Sequence, residues 1–128
     1  MNGAGFLAVG VGAAVGAWVR WGLSVLLNPV VPSLLVGTLA ANLIGGYLIG
    51  IAMAFFEQAR TLSPELRLLV TTGFLGGLTT FSAFSAEATM LLTQQQYGWL
   101  AALTVAHVAG SILMTVAGIA TVRFALAM

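Results

Sequence analysis

Four long runs without a formal charge divide the chain: Met1 to Val19, Trp21 to Phe56, Leu68 to Ala86 and Ala88 to Val122. A helix crosses the hydrocarbon of a bilayer in ~20 apolar residues, so the second and fourth runs are too long for one crossing. Asn28-Pro29 and Pro32-Ser33 interrupt the second with turn chemistry that ends a helix, and Thr93-Gln94-Gln95-Gln96 with Tyr97-Gly98 interrupts the fourth. The pattern predicts four membrane helices near residues 4–27, 34–56, 66–93 and 98–125. The longest polar segment, Glu57 to Arg67, joins the second to the third, and Ser63-Pro64-Glu65 within it has the form of an N-cap and first turn. Residues 1–128 are thus expected to form a single all-α transmembrane domain, with no soluble domain attached.

Composition turns that pattern into a class. Apolar residues make up 60% of the chain before its 16 glycines are counted, and charged residues 5%, where a soluble domain carries roughly 25%. The mean hydropathy is +1.08, and the solvent that suits it is lipid. A net charge of +1, from four arginines, no lysine and three glutamates, cannot neutralise a run of phosphates, which excludes a nucleic-acid partner. There is no cysteine for a disulfide, thiolate nucleophile or thiolate metal site. One histidine and three acids leave almost nothing for acid-base catalysis, and no nucleophile and base can be named together, so no enzyme is expected. The first arginine, Arg20, follows the first apolar run instead of preceding it, contrary to a signal peptide.

Small residues recur at helical spacing: Gly12 with Gly16, Ala41 with Gly45, and Gly46 with Gly50. Such spacing lets helix backbones approach closely in lipid, and helices packed so closely leave no room for an internal aqueous pore. Function at a subunit interface follows. Arg20, between Trp18 and Trp21, fits either an interfacial anchor whose guanidinium snorkels to headgroups or a vestibule cation that attracts an anion. Asn42, in mid-span, needs a partner for its amide, either on a neighbouring helix or on a ligand.

The segment Thr72 to Ser85, TGFLGGLTTFSAFS, is the densest departure from an apolar helix. Gly73, Gly76, Gly77 and its threonines weaken the helix, and Gly76-Gly77 at the centre of the span predicts a break, whose freed carbonyls are suited to a small cation. With Phe81 at zero and ~100° per residue, Phe84, Ser85 and Ser82 fall at about −60°, 40° and 100°, which places all four on one face. Two hydroxyl donors and two rings with electropositive edges suit a small, strongly hydrated anion. In the fourth span His107, Ser111 and Thr115 repeat every four residues, either as interhelical hydrogen bonds or as a continuation of an ion's route. Glu87 is the one acid well inside a span, a functional candidate by that position or a carboxylate reaching the interface.

These residues carry a resemblance. Gly37-Thr38-Leu39-Ala40-Ala41-Asn42-Leu43-Ile44-Gly45, together with the run from Gly73 through Phe81-Ser82-Ala83-Phe84-Ser85 to Glu87, closely resembles the Fluc family of bacterial fluoride channels, also called CrcB. The similarity spans essentially the whole chain, including Arg20 and the stretch from Gly110-Ser111 to Thr115. It implies a passive fluoride-selective channel of the bacterial inner membrane that protects the cell from fluoride, built as an antiparallel, dual-topology homodimer with two pores. It further implies that Phe81 and Phe84 are the paired pore rings, that Asn42 is a donor beside them, and that Ser111 and Thr115 belong to a hydroxyl track. A structural sodium ion on the dimer axis would be held by the carbonyls of Gly76 and Thr79. His107 and Leu103 occupy track positions where some members carry hydroxyls.

Two other classes share the span count. A proton-coupled exporter of the small multidrug-resistance kind needs a carboxylate in the first helix, whereas the first acid here is Glu57. A non-conducting membrane subunit needs neither the Phe-Ser face nor the broken helix.

Overall fold

A computed structural model describes residues 1–128 and is helical throughout. Its helices are α1 (Gly3–Leu27), α2 (Val36–Gln58), α3 (residues 64–78), α4 (Phe81–Thr93) and α5 (Tyr97–Ala127). α3 and α4 together form one broken span, Pro64–Thr93, and all four spans are long and apolar enough to cross a bilayer. Every span boundary lies within two residues of its expected position.

The ends are closed by the residues that the local sequence offers. Asn2 accepts the Gly5 amide at 2.7 Å to start α1. α1 gives way to a 3-10 turn at Asn28–Val30, where Pro29 cannot continue the helix. Asn28 Oδ1 then accepts the Gly37 amide at 2.7 Å and ties that turn to the start of α2. The Ser63 hydroxyl accepts the Leu66 amide at 3.2 Å, as an N-cap should. Arg67, one turn into α3, donates to the Phe56 and Ala59 carbonyls at 3.3 and 3.0 Å and lies 5.2 Å over the Phe56 ring. It thereby serves carbonyls at the end of α2, that of Ala59 together with the Leu62 amide.

α1 packs chiefly on α3, and α2 on α5. Gly12, Gly16, Ala41, Gly45, Gly46 and Gly50 are all buried, so the small-residue pairs do serve packing. At Gly12, Gly16, Gly46 and Gly50 the contacts are with neighbouring backbone, and at Gly45 with the Thr79 side chain. A Cβ added at Gly16 would run into the Phe74 carbonyl and stand 2.7 Å from the Leu78 nitrogen, and one at Gly50 would strike the Thr115 carbonyl. Ala41, Ala52, Leu75 and Leu78 make the buried core between these pairs.

The third span is broken, but one turn later than Gly76-Gly77. Leu69–Leu75 winds as a π-helix, and Gly76–Leu78 continues as α-helix. The extended residues are Thr79 (φ −90°, ψ 156°) and Thr80 (φ −152°, ψ 113°). The glycines have a different task, since a Cβ on Gly77 would collide with the Ala13 carbonyl of α1. β-Branched threonines accept extended backbone readily. The Thr80 hydroxyl then accepts the Ala83 amide at 3.1 Å, restarting the helix as α4.

Gly16→Val should cost ~1–3 kcal/mol or more by overpacking the α1–α3 contact. Gly10, whose Cβ would meet nothing within 4 Å, should tolerate alanine with no loss and a gain of at most ~1 kcal/mol. Thermal unfolding of both variants in detergent checks the pair, and equal Tm values would contradict the packing described.

Candidate functional site

The break is held by one side chain. Asn42 Oδ1 accepts the Thr80 amide at 2.7 Å, and Asn42 Nδ2 donates to the Thr80 carbonyl at 3.0 Å. The backbone amide can only donate and the carbonyl only accept, so the orientation of the Asn42 carboxamide is settled by its partners. Its second Nδ2 proton meets His107 Nδ1 at 3.1 Å. That nitrogen must therefore present a lone pair, which makes His107 a neutral ring with its proton on Nε2. Nε2 is closed off and has no partner.

Three carbonyls at the break lose or replace their helical donors. The Thr80 amide, which in a continuous helix would bond to the Gly76 carbonyl, goes to Asn42. The Ala83 amide, due to the Thr79 carbonyl, goes to the Thr80 hydroxyl. Arg20 Nε donates to the Gly77 carbonyl at 3.1 Å. Arg20 is thus fastened to the base of the break, a contact that neither the anchor nor the vestibule reading anticipates.

Beside the break, a groove of about 560 Å³ runs along the flank of the molecule, open on one side. Asn42, the break residues Gly76, Thr79 and Thr80, the rings of Phe81 and Phe84, and His107, Ser111 and Thr115 of α5 all line it. None of its lining residues is charged. Phe81 and Phe84 have their centroids 5.6 Å apart at 59°, and Phe84 lies 4.7 Å from the His107 ring. Phe81 is 78% exposed, at the open side. The Thr115 hydroxyl lies 2.9 Å from the Gly46 carbonyl and 3.0 Å from the Ser111 carbonyl, and so also joins α5 to α2.

Several expected residues stand elsewhere or act differently. Ser82 and Ser85 do not line the groove. Ser82 is exposed and 3.2 Å from the Thr80 hydroxyl, because the helix restarting at Phe81 turns that side of α4 away. Asn42 lines the groove, but both its protons are committed to Thr80 and His107. Glu87 does not reach for the interface: it is 6% exposed, with Oε2 accepting the Leu35 amide at 2.7 Å at the start of α2 and Oε1 without a partner. Leu103 is fully buried and outside the groove, so the α5 track ends at His107. Thr80 was missed as the point the site is built on. The signal was there in two adjacent β-branched residues ahead of Phe81, but the neighbouring glycines drew the expectation to themselves.

The model of the family described as CrcB-like protein, Camphor Resistance (CrcB), matches residues 7–119. The chain is 60% identical over 125 residues to a protein of Ralstonia pickettii, an alignment covering 96% of this chain and 98% of that one. It is 57% identical over 123 residues to one of Cupriavidus taiwanensis, with the same coverage, and 57% identical over 118 residues to one of Pseudomonas putida, covering 92% and 93%. Each of the three carries the name fluoride-specific ion channel FluC.

Asn42→Leu should strand the Thr80 amide and carbonyl at membrane depth, at ~1–3 kcal/mol for each buried group left unpaired. The expected result is a lower Tm and faster hydrogen exchange at Thr80 than in the parent. Unchanged exchange at Thr80 would mean that Asn42 does not hold the break.

Proposed function

The chain belongs to the CrcB family, and from that membership we propose that it is a fluoride-selective channel of the bacterial inner membrane, passive in action and protective against fluoride. The observation that carries the reading is near end-to-end similarity to relatives named fluoride-specific ion channels, in a chain whose groove beside the break is uncharged and edged by two phenylalanines. The protein is a channel and not an enzyme, and it works as a multi-pass protein with its four spans in the bilayer.

Fluoride is small and holds its water tightly, so a dry path must offer donors that stand in for that water. The ring edges of Phe81 and Phe84 carry partial positive charge, and the Ser111 hydroxyl can turn to donate. The path runs past the two rings and along Ser111 and Thr115, with Asn42 fixing the wall. With no carboxylate in the lining, nothing repels the ion. In a single chain Ser82 and Ser85 lie off this route and join it only where a second chain extends it. Arg20 and Glu87 stand outside this route and brace the structure around it, Arg20 through the Gly77 carbonyl and Glu87 through the Leu35 amide.

The working unit is an antiparallel homodimer. Polar atoms of Ser111 and of the Thr79-Thr80 backbone on an open groove are costly against lipid tails, and a second copy related by a twofold axis would cover both grooves at once. Arg60, Arg67 and Arg123 stand at one end of the bundle and Arg20 nearer the other, a charge difference small enough for insertion both ways.

The donor set also fits a sodium ion. The carbonyls of Gly76 and Thr79 have lost their helical donors to Asn42 and to the Thr80 hydroxyl, and neutral oxygens of this kind suit a hard monovalent cation. Two per chain become four about a twofold axis. Bound there, the ion would hold the two breaks together and take no part in the flux.

Liposomes containing only the purified protein should release fluoride when an ionophore cancels the voltage, and should release far less chloride. Equal chloride flux, or a requirement for a proton gradient, would replace the channel with the proton-coupled exporter. Phe81→Ile and Phe84→Ile keep apolar bulk but lose the ring edges, and each should lower flux by about tenfold with dimers intact.

Single cysteines placed at the N-terminus of this cysteine-free chain should be labelled from both sides of intact cells. Labelling from one side only rejects dual topology. Exchanging sodium for a larger cation during purification should dissociate or inactivate the dimers, and full activity without sodium rejects the cation site.

A further inference from the structure

We infer that His107 donates a hydrogen bond from Nε2–H to the permeating anion, and that Asn42 is what holds the ring in the tautomer able to do so; the inference rests on the channel reading above. The chain of bonds begins in the backbone. Thr80 orients Asn42, Asn42 spends its last proton on His107 Nδ1, and the only proton of the neutral ring is left on Nε2. The imidazole is 5% exposed and Nε2 finds no acceptor anywhere in the chain. A buried donor without an acceptor calls for an explanation, such as an ion or a water.

The surroundings say which kind of occupant fits. His107 lines the groove between Asn42 and Phe84, one helical turn from Ser111. A hydroxyl at this position could donate or accept and would be satisfied by a neighbouring carbonyl. An Nε2–H can only donate, so it is completed by an acceptor that arrives from the groove. Fluoride is an acceptor with no proton of its own. The groove already favours an anion, with two ring edges and no carboxylate. Because Nε2 is closed off in this conformation, the donation includes a local movement that opens it to the groove. His107 therefore contributes a donor of fixed direction at a point where a rotating hydroxyl would leave the direction open.

One histidine in the chain makes the test direct. Protein labelled with ¹⁵N only in histidine, in lipid bilayers without fluoride, should give the nitrogen signature of a bare Nδ1 and a protonated Nε2. Fluoride should shift the Nε2–H resonance while leaving Nδ1 nearly unmoved, and chloride should do neither. Flux supplies the second arm. His107→Asn keeps an acceptor where Nδ1 stood but has no donor at Nε2, and should lose about tenfold or more of the fluoride flux. His107→Gln keeps a donor near Nε2 and should retain most of it. Both variants are compared as intact dimers, and the spectra of the parent do not depend on either variant folding. An Nδ1–H tautomer, an Nε2–H resonance indifferent to fluoride, or a His107→Asn channel as fast as the parent overturns the inference and leaves the channel reading standing. A parent that conducts no fluoride overturns both.

Discussion

A broken helix at membrane depth is tolerable only if its freed backbone groups find partners, and that requirement organises this protein. At Thr79-Thr80 the chain leaves helical geometry where no water can take over the lost bonds. Asn42 replaces both bonds of Thr80, Arg20 serves the Gly77 carbonyl, and the Thr80 hydroxyl restarts the helix. Remove these and the break is an unpaid cost of several kcal/mol. Asn42 comes from α2 and Arg20 from α1, so the break also fixes how those two helices stand against the third span.

Close packing elsewhere decides where a function can be placed. Glycine-mediated contacts bring α1 onto α3 and α2 onto α5 with backbones touching. The flank groove opens beside the break because α4, displaced by two extended residues, packs on α5 and little else. The same discontinuity that demands partners thus creates the cavity. Its aromatic and polar walls are brought together from three spans, and the exposed Phe81 ring marks the side on which the wall is incomplete.

Much of this was legible in the sequence, and the misses share a cause. Helix spans, the Ser63 cap, the small-residue contacts and the groove roles of Phe81, Phe84, Ser111 and Thr115 as lining residues depend on local pattern or on one helix's own periodicity. Ser82 and Ser85 shared a face with the phenylalanines on the helical wheel, but the wheel carries no information on which part of that face a neighbour covers. Gly76-Gly77 looked like the weak point because glycine lowers helix propensity. Tertiary packing used the pair for close approach to α1 and left the break to two threonines. Glu87 read either as a functional acid inside the span or as a carboxylate reaching the interface, yet it is buried and binds the start of α2 through the Leu35 amide.

The sequence by itself determined that this is a four-span membrane protein with a weakened third span and a concentration of uncharged donors, because those properties follow from hydropathy, periodicity and composition along one chain. Only the tertiary structure decided which donors are free. Asn42 and His107 are 65 residues apart, and no local rule says that one spends its protons on the other. The committed protons of Asn42, the tautomer of His107 and the capture of the Thr80 amide follow from contacts between helices, since a hydrogen bond made across the bundle consumes a group that the sequence can only list as available.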